Sequence, residues 1–246
     1  MILRSLLVVG VFTFMAASQA HAAIVEQLIL DAGGGISATI NVDDAGVTSC
    51  TDPACAGLIF PAFVAPHTSL LVTGILGQFT INITGIGGLT AIAPTLQNLN
   101  QVQASTSGAG TLSAFFTDTE YCSGGGGCFG SDFVFSVSTV NDTAISTSTT
   151  DFAAFADAGN AIPAGSLIGS FIGLTGLSDA AADFFANPVG ASGSLSLATI
   201  IHFAGSGTVQ ANAQISSVIP EPGTLSLFGL AGALVFFRFR RKLFSN

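Results

Sequence analysis

The stretch FVFSVSTV, residues 133–140, places an apolar side chain at alternate positions with small or β-branched residues between them. The same period of two runs through ISATINV (36–42), GQFTINITG (77–85), GTLSAFFTD (110–118) and GTVQANAQISSV (207–218). GSLSLATIIHF (193–203) alternates at first and then becomes continuously apolar. A period of two puts successive side chains on opposite faces of an extended chain, so each segment reads as a half-buried strand. TGIGG, TSGAG, VNDTA and FAGSG supply the Gly, Asn and Asp that turns require. The expectation is an all-β fold, with an antiparallel β-sandwich or jelly-roll-like body at 23–218. Helix is expected at two places at most. DFAAFADAGN (151–160) opens on an Asp suited to an N-cap, and SDAAADFFANP (178–188) stops before a proline. Both also suit sandwich loops.

A body of this size removes roughly 70% of its unfolded surface from water. Phenylalanines such as Phe115, Phe116, Phe133 and Phe135 are read as its filling rather than as sugar-stacking faces. The chain has no Trp and one Tyr, Tyr121, so a strong lectin reading lacks support. Charged residues make up only 8% of the 246 positions, yet the middle has no run of the about 20 apolar residues that a membrane helix needs. Only the two ends come close.

The charges are segregated. The five basic residues are Arg4, Arg238, Arg240, Arg241 and Lys242, whereas all 14 acidic residues lie between positions 23 and 237. A body without Lys or Arg is repelled by phosphate backbones, which excludes nucleic acid as a partner. It can attract divalent cations or cationic surfaces.

At the amino terminus, Arg4 precedes the apolar run 6–17, and Ala20-His21-Ala22 presents small residues in an A-x-A arrangement. Together these read as a signal peptide over 1–22, cut by signal peptidase so that the mature chain starts at Ala23. Export makes disulfides permissible. The four cysteines form two close pairs, Cys50 and Cys55 in CTDPAC and Cys122 and Cys128 in CSGGGGC. Local bridges Cys50–Cys55 and Cys122–Cys128 are favoured, although three connectivities exist. A four-cysteine zinc site fits less well, because its paired ligands usually stand closer together.

A catalytic constellation is harder to find. The mature body offers His67 and His202, no serine sits in a G-x-S-x-G elbow, and both histidines are read as structural. Asp118 and Glu120 are two apart and Asp43 adjoins Asp44, which raises glycoside hydrolysis or calcium binding. Solvated turn carboxylates account for them more simply, since the calcium-loop signature is absent. No cofactor or metal is expected; calcium at Asp43, Asp44, Asp118 or Glu120 is the weak exception. Asn82-Ile-Thr84 and Asn141-Asp-Thr143 match the N-glycosylation pattern, which recurs by chance, and STSTTD (146–151) could expose a threonine row suited to ice or O-glycans. Ordinary β-propensity is the simpler account of that run.

The chain ends VIPEPGTLSLFGLAGALVFFRFRRKLFSN. Pro220 and Pro222 fix their own φ and restrict the preceding residues, so Pro220-Glu221-Pro222 is an extended break after the last strand. The uncharged run 224–237 reaches roughly 21 Å as a helix, short of the roughly 30 Å hydrocarbon core. It reads as a short transmembrane helix, with Arg238, Arg240, Arg241 and Lys242 held on the cytoplasmic side.

This tail resembles the PEP-CTERM sorting signal of Gram-negative bacteria: a Pro-Glu-Pro box, a short hydrophobic helix and an Arg cluster, in order over 219–246. Tails of this kind are also called an ice-binding protein C-terminal domain, a label for the tail alone. The resemblance implies transient anchoring in the inner membrane and processing by an exosortase-type membrane protease. Delivery to the cell surface or extracellular matrix follows. The expectation is therefore an exported, non-enzymatic surface or matrix protein of an exopolysaccharide or biofilm. The alternatives are a carbohydrate-, calcium- or ice-binding adhesin module, a secreted hydrolase, and a membrane protein whose tail is never cut.

Overall fold

The structure, a computed structural model, describes residues 24–43, 46–60, 70–85, 96–121, 133–142, 147–157, 161–163, 165–185 and 193–217. The order of elements is β1 (Ile24–Asp31), β2 (Ser37–Asp43), β3 (Thr48–Cys50), a 3-10 turn (Pro53–Gly57), β4 (Leu58–Ile59), β5 (Leu70–Leu76), β6 (Phe79–Gly85) and β7 (Leu96–Thr106). There follow β8 (Gly110–Tyr121), β9 (Phe133–Asn141), β10 (Thr149–Asp157), β11 (Ser166–Leu174), β12 (Ser178–Phe185), β13 (Gly193–Phe203) and β14 (Gly207–Ser217). They form two antiparallel seven-stranded sheets. One has the order β11-β10-β13-β8-β1-β2-β3, and the other β12-β9-β14-β7-β6-β5-β4. We call them the first and second sheets. Among the described residues no helix is long and apolar enough to cross a membrane.

The six segments with a clear two-residue period coincide with β2, β6, β8, β9, β13 and β14. Their alternate residues fill the space between the sheets: Ala38, Ile40 and Val42 from β2, Phe133, Phe135 and Val137 from β9, Val209, Ala211, Ala213 and Ile215 from β14. The helix expectation fails at both places. Residues 151–157 belong to β10, with Phe152, Ala154 and Ala156 turned inward, and 178–185 form β12. Alanine suits a helix by intrinsic propensity, but pairing of β12 with β9 from Ser178 to Phe185 overrides it. Ala181 and Phe185, which pack on the core, are four residues apart. That spacing shares a face in a helix and in a strand alike.

Each side of the sandwich is closed by specific contacts. On the β11/β12 side the ring of Phe135 lies 5.3 Å from Phe171 and 6.3 Å from Phe185. Gly169 lets the Phe185 ring approach so closely that any Cβ there would collide with it. On the β3/β4 side the chain passes from the first sheet to the second through the 3-10 turn. Between the sheets Thr139 of β9 and Thr150 of β10 share a buried hydroxyl–hydroxyl hydrogen bond of 3.2 Å, so neither oxygen is left unsatisfied. Thr150 belongs to the threonine run of the sequence and is fully buried, so it does not join an exposed row.

The registers also define the ends. Phe203 pairs with Gly110 and Gly207 pairs with Thr106, which places the β7–β8 and β13–β14 turns at one end. At the opposite end Thr119 donates to the carbonyl of Ile24 at 3.4 Å, and Ser217 pairs with Phe133. The described body thus begins and finishes at the same end of the sandwich.

Candidate functional site

The residues expected to carry sorting, Pro220, Glu221 and Pro222 with Arg238, Arg240, Arg241 and Lys242, lie outside the described residues. So do Ala20, Ala22 and Ala23, the second cysteine pair Cys122 and Cys128, and Asp44 and His67. Strand β14 ends at Ser217, a position inside the second sheet rather than at its edge, so the tail follows directly from a strand paired on both sides.

The first cysteine pair forms the expected bridge. Cys50, the last residue of β3, is bonded to Cys55 in the 3-10 turn, with Cα atoms 6.0 Å apart. Pro53 sits at the start of that turn, where its missing N–H costs nothing. The Asp52 carboxylate accepts a 2.7 Å hydrogen bond from the Thr39 N–H of β2, which ties the loop to the first sheet. Both sulfur-bearing residues pack against the core. The bridge therefore stiffens a crossover between the sheets as well as a surface loop.

Of the calcium candidates, the two whose side chains are described, Asp43 and Asp118, face opposite sides of the first sheet. Val42 points into the core, so its neighbour Asp43 faces outward, where its carboxylate accepts from the Val47 N–H at 2.7 Å. Asp118 is 4% exposed and lies on the inward face of β8 with Leu112, Ala114 and Phe116. The side chain of Glu120 is outside the described residues. Among the described residues no three His, Cys, Asp or Glu side chains converge as a metal site would require. Asp118 instead meets Glu26, directly opposite on β1 and 2% exposed. Sequence reasoning missed this pairing. Its signal was present: in IVEQLILD, Glu26 occupies the inward register shared by Leu28 and Leu30.

A second cluster was also missed. His202 of β13 stands outward between its neighbours on β8 and β10. Its Nδ1 lies 3.2 Å from the Thr111 hydroxyl, and its Nε2 lies 3.2 Å from Asp151 Oδ2. Asp151 Oδ1 also accepts from the Gly173 N–H at 2.7 Å. Hydroxyl, imidazole and carboxylate follow one another as in a nucleophilic relay. The setting differs: the His202 side chain is 45% exposed on an open strand face, and nothing described there excludes water. Register separates this cluster from Asp118, because Thr111 and Asp118 are seven positions apart on β8, about 23 Å. The pair His202 and Asp118 does not form a site.

Other candidates resolve individually. Asn141 is buried, and its amide donates to the carbonyls of Ser148 at 3.3 Å and Gly176 at 2.7 Å, so it is a structural strut. Asn82 is exposed on β6. Phe116, Phe133 and Phe135 fill the core as expected. Phe115 departs from that expectation: it is half-buried on the outer face of the first sheet, its ring 5.4 Å from Phe155.

Comparison with known proteins separates the tail from the body. No curated protein matches the chain in sequence. Among solved structures, the enzymatically active domain of bacteriophage CBA120 tailspike protein 4 aligns at 12% identity and a TM-score of 0.33, over 58% of this chain and 20% of that one. This chain thus spans about a fifth of the tailspike structure. A carbohydrate-binding module of the β-sandwich superfamily aligns at 8% identity and a TM-score of 0.31, over 79% of this chain and 84% of that one. The K1 cleaved adhesin domain of Lys-gingipain from Porphyromonas gingivalis W83 aligns at 10% identity and a TM-score of 0.29, over 62% and 99%. Likeness at this level assigns nothing to the body. The tail is different: residues 218–242 match the PEP-CTERM protein-sorting motif, and the chain is a protein that carries this export and sorting signal.

Proposed function

We propose that this chain is a non-enzymatic component of the bacterial surface or of its extracellular polysaccharide matrix. In this reading signal peptidase releases the amino terminus, the tail holds the product briefly in the inner membrane, and an exosortase-type protease cuts near the Pro-Glu-Pro box. The observation that carries the reading is the sorting motif at 218–242, which begins directly after the last strand of the body at Ser217. The acidic, Lys- and Arg-free stretch between the two ends supports outward transfer, because the basic residues that favour the cytoplasmic side are confined to the ends.

The test is fractionation of the native host producing either the unaltered chain or a variant with Pro220→Ala, Glu221→Gln and Pro222→Ala together. The unaltered chain is expected in the surface and matrix fractions, and the variant in the inner membrane. Identical distribution of the two would remove the sorting role.

A further inference from the structure

The two outer faces of the sandwich differ in charge. The first sheet carries Asp31, Asp43, Asp151, Asp157 and His202 among its outward or rim positions. On the second sheet, alternation with the buried residues turns Thr80 and Asn82 of β6, Gln103 and Ser105 of β7, Gln210 and Asn212 of β14, and Ser136 and Ser138 of β9 outward. None of these is charged; the acidic side chains described on this sheet stand at its margins, Asp142 just past the end of β9 and Asp179 and Asp183 on edge strand β12.

Register aligns the longest of these side chains. Gln210 pairs with Gln103, Gln103 with Asn82, and Asn82 with Thr73. They make a row across the strands, with neighbours about 4.8 Å apart. Apolar residues bracket it: Val140, 47% exposed, is opposite Gln210, and Ile59, 68% exposed, is opposite Thr73. Small residues flank it on the β9/β12 side, where Ser138 pairs with Ala180 and Ser136 with Ala182, so the surface beside the row is low. Edge pairing is discouraged there as well. The carboxylates of Asp179 and Asp183 accept from the backbone N–H groups of Ala180 at 2.9 Å and Phe184 at 2.8 Å on edge strand β12.

We infer that this face binds an uncharged polysaccharide chain laid across the strands along Gln210, Gln103, Asn82 and Thr73. The inference rests on the proposed placement in a polysaccharide matrix and gives that protein a ligand class. Each amide offers donors and an acceptor together, which matches a polymer whose hydroxyls do both. Burying neutral amides against hydroxyls avoids the desolvation penalty that a charged face would incur. The apolar ends suit the C–H faces of sugar rings. An acidic polymer gains nothing here, because the face holds no cation and the body around it is acidic. A row of weak contacts engaged by successive sugars yields useful affinity through multivalency.

The experiment is affinity electrophoresis of the full chain in mild detergent, through gels containing dextran, hydroxyethyl cellulose or alginate. Retardation by at least one neutral polymer, unchanged by added salt, is expected, with none by alginate. Asn82→Ala, Gln103→Ala and Gln210→Ala combined should weaken it at least tenfold, and the isosteric Gln103→Glu alone should also weaken it. Gln27→Ala with Asn41→Ala, a hydrogen-bonded pair on the other sheet, should leave it unchanged. Should the triple variant fail to fold, Gln103→Glu carries the test. Absence of retardation by both neutral polymers overturns the proposal, as does equal retardation of wild type and Gln103→Glu. Sedimentation showing a dimer that Gln103→Glu dissociates, without glycan binding, would assign the face to a second copy instead. None of these results changes the fractionation outcome, so failure here is distinct from failure of the sorting reading.

Discussion

Glu26 and Asp118 stand directly opposite one another across the β1–β8 ladder, 2% and 4% exposed, at the end of the sandwich where the described chain begins and finishes. Two carboxylates in this position repel one another when both are ionised, and burial strengthens the effect. Glu26→Gln keeps the size and replaces an acceptor-only carboxylate by an amide that can donate to Asp118, which removes the repulsion of the ionised pair. Stability at pH 7 in a chelator is expected to rise by about 1 kcal/mol, read as a melting shift of about 3 °C. A lower melting temperature in the variant, together with stabilisation of the wild type by millimolar calcium, would show instead that the pair holds a cation.

The Cys50–Cys55 bridge closes a short loop, so its effect on the unfolded chain is limited. Replacing both cysteines by serine is expected to cost about 2 kcal/mol on loop-closure grounds. Chemical denaturation checks this. A much larger loss would mean that the crossover between β3 and β4 cannot form without the bridge.

Gly74 of β5 pairs with Leu58 of β4 and has φ +140°, and a Cβ there would run into the carbonyl of Gly57. Gly74→Ala is expected to cost about 1–3 kcal/mol through displaced backbone. Gly34 gives the comparison. It also has a positive φ (+61°), but a Cβ there would meet nothing within 4 Å, so Gly34→Ala should cost less. Urea midpoints of the two variants test the difference.

Phe135 is fully buried and touches the rings of Phe171 and Phe185 where the two sheets meet on the β11/β12 side. Phe135→Ala should cost about 3–5 kcal/mol. Because both edge strands lose their packing, amides of β11 and β12 should gain the most hydrogen exchange. Uniform exchange across both sheets would show that this side does not open independently.

The strands were legible wherever inward and outward positions differ in polarity, as in ISATINV and FVFSVSTV. They were hidden where the outward side also is apolar or small. LLVTGIL of β5 and SLIGSFIGL of β11 show no clean alternation, because Leu71, Leu167 and Ile172 occupy half-buried or exposed positions. The cap-like starts and stops of DFAAFADAGN and SDAAADFFANP suggested helix, and pairing of β10 with β13 and of β12 with β9 overrules them. Residues from distant strands also made the two polar clusters unreadable in one dimension. Glu26 meets Asp118, and His202 meets both Thr111 and Asp151, only through sheet order. The tail was readable because its motif is contiguous in the sequence, over residues 218–242.

The most direct test of sorting is the intact mass of the protein recovered from the matrix and from the membrane fraction of its native host. A matrix form that starts at Ala23, ends near Glu221 and carries two disulfides is expected. A chain retaining residues 222–246, found only in the inner membrane, would refute sorting and make the tail an ordinary anchor.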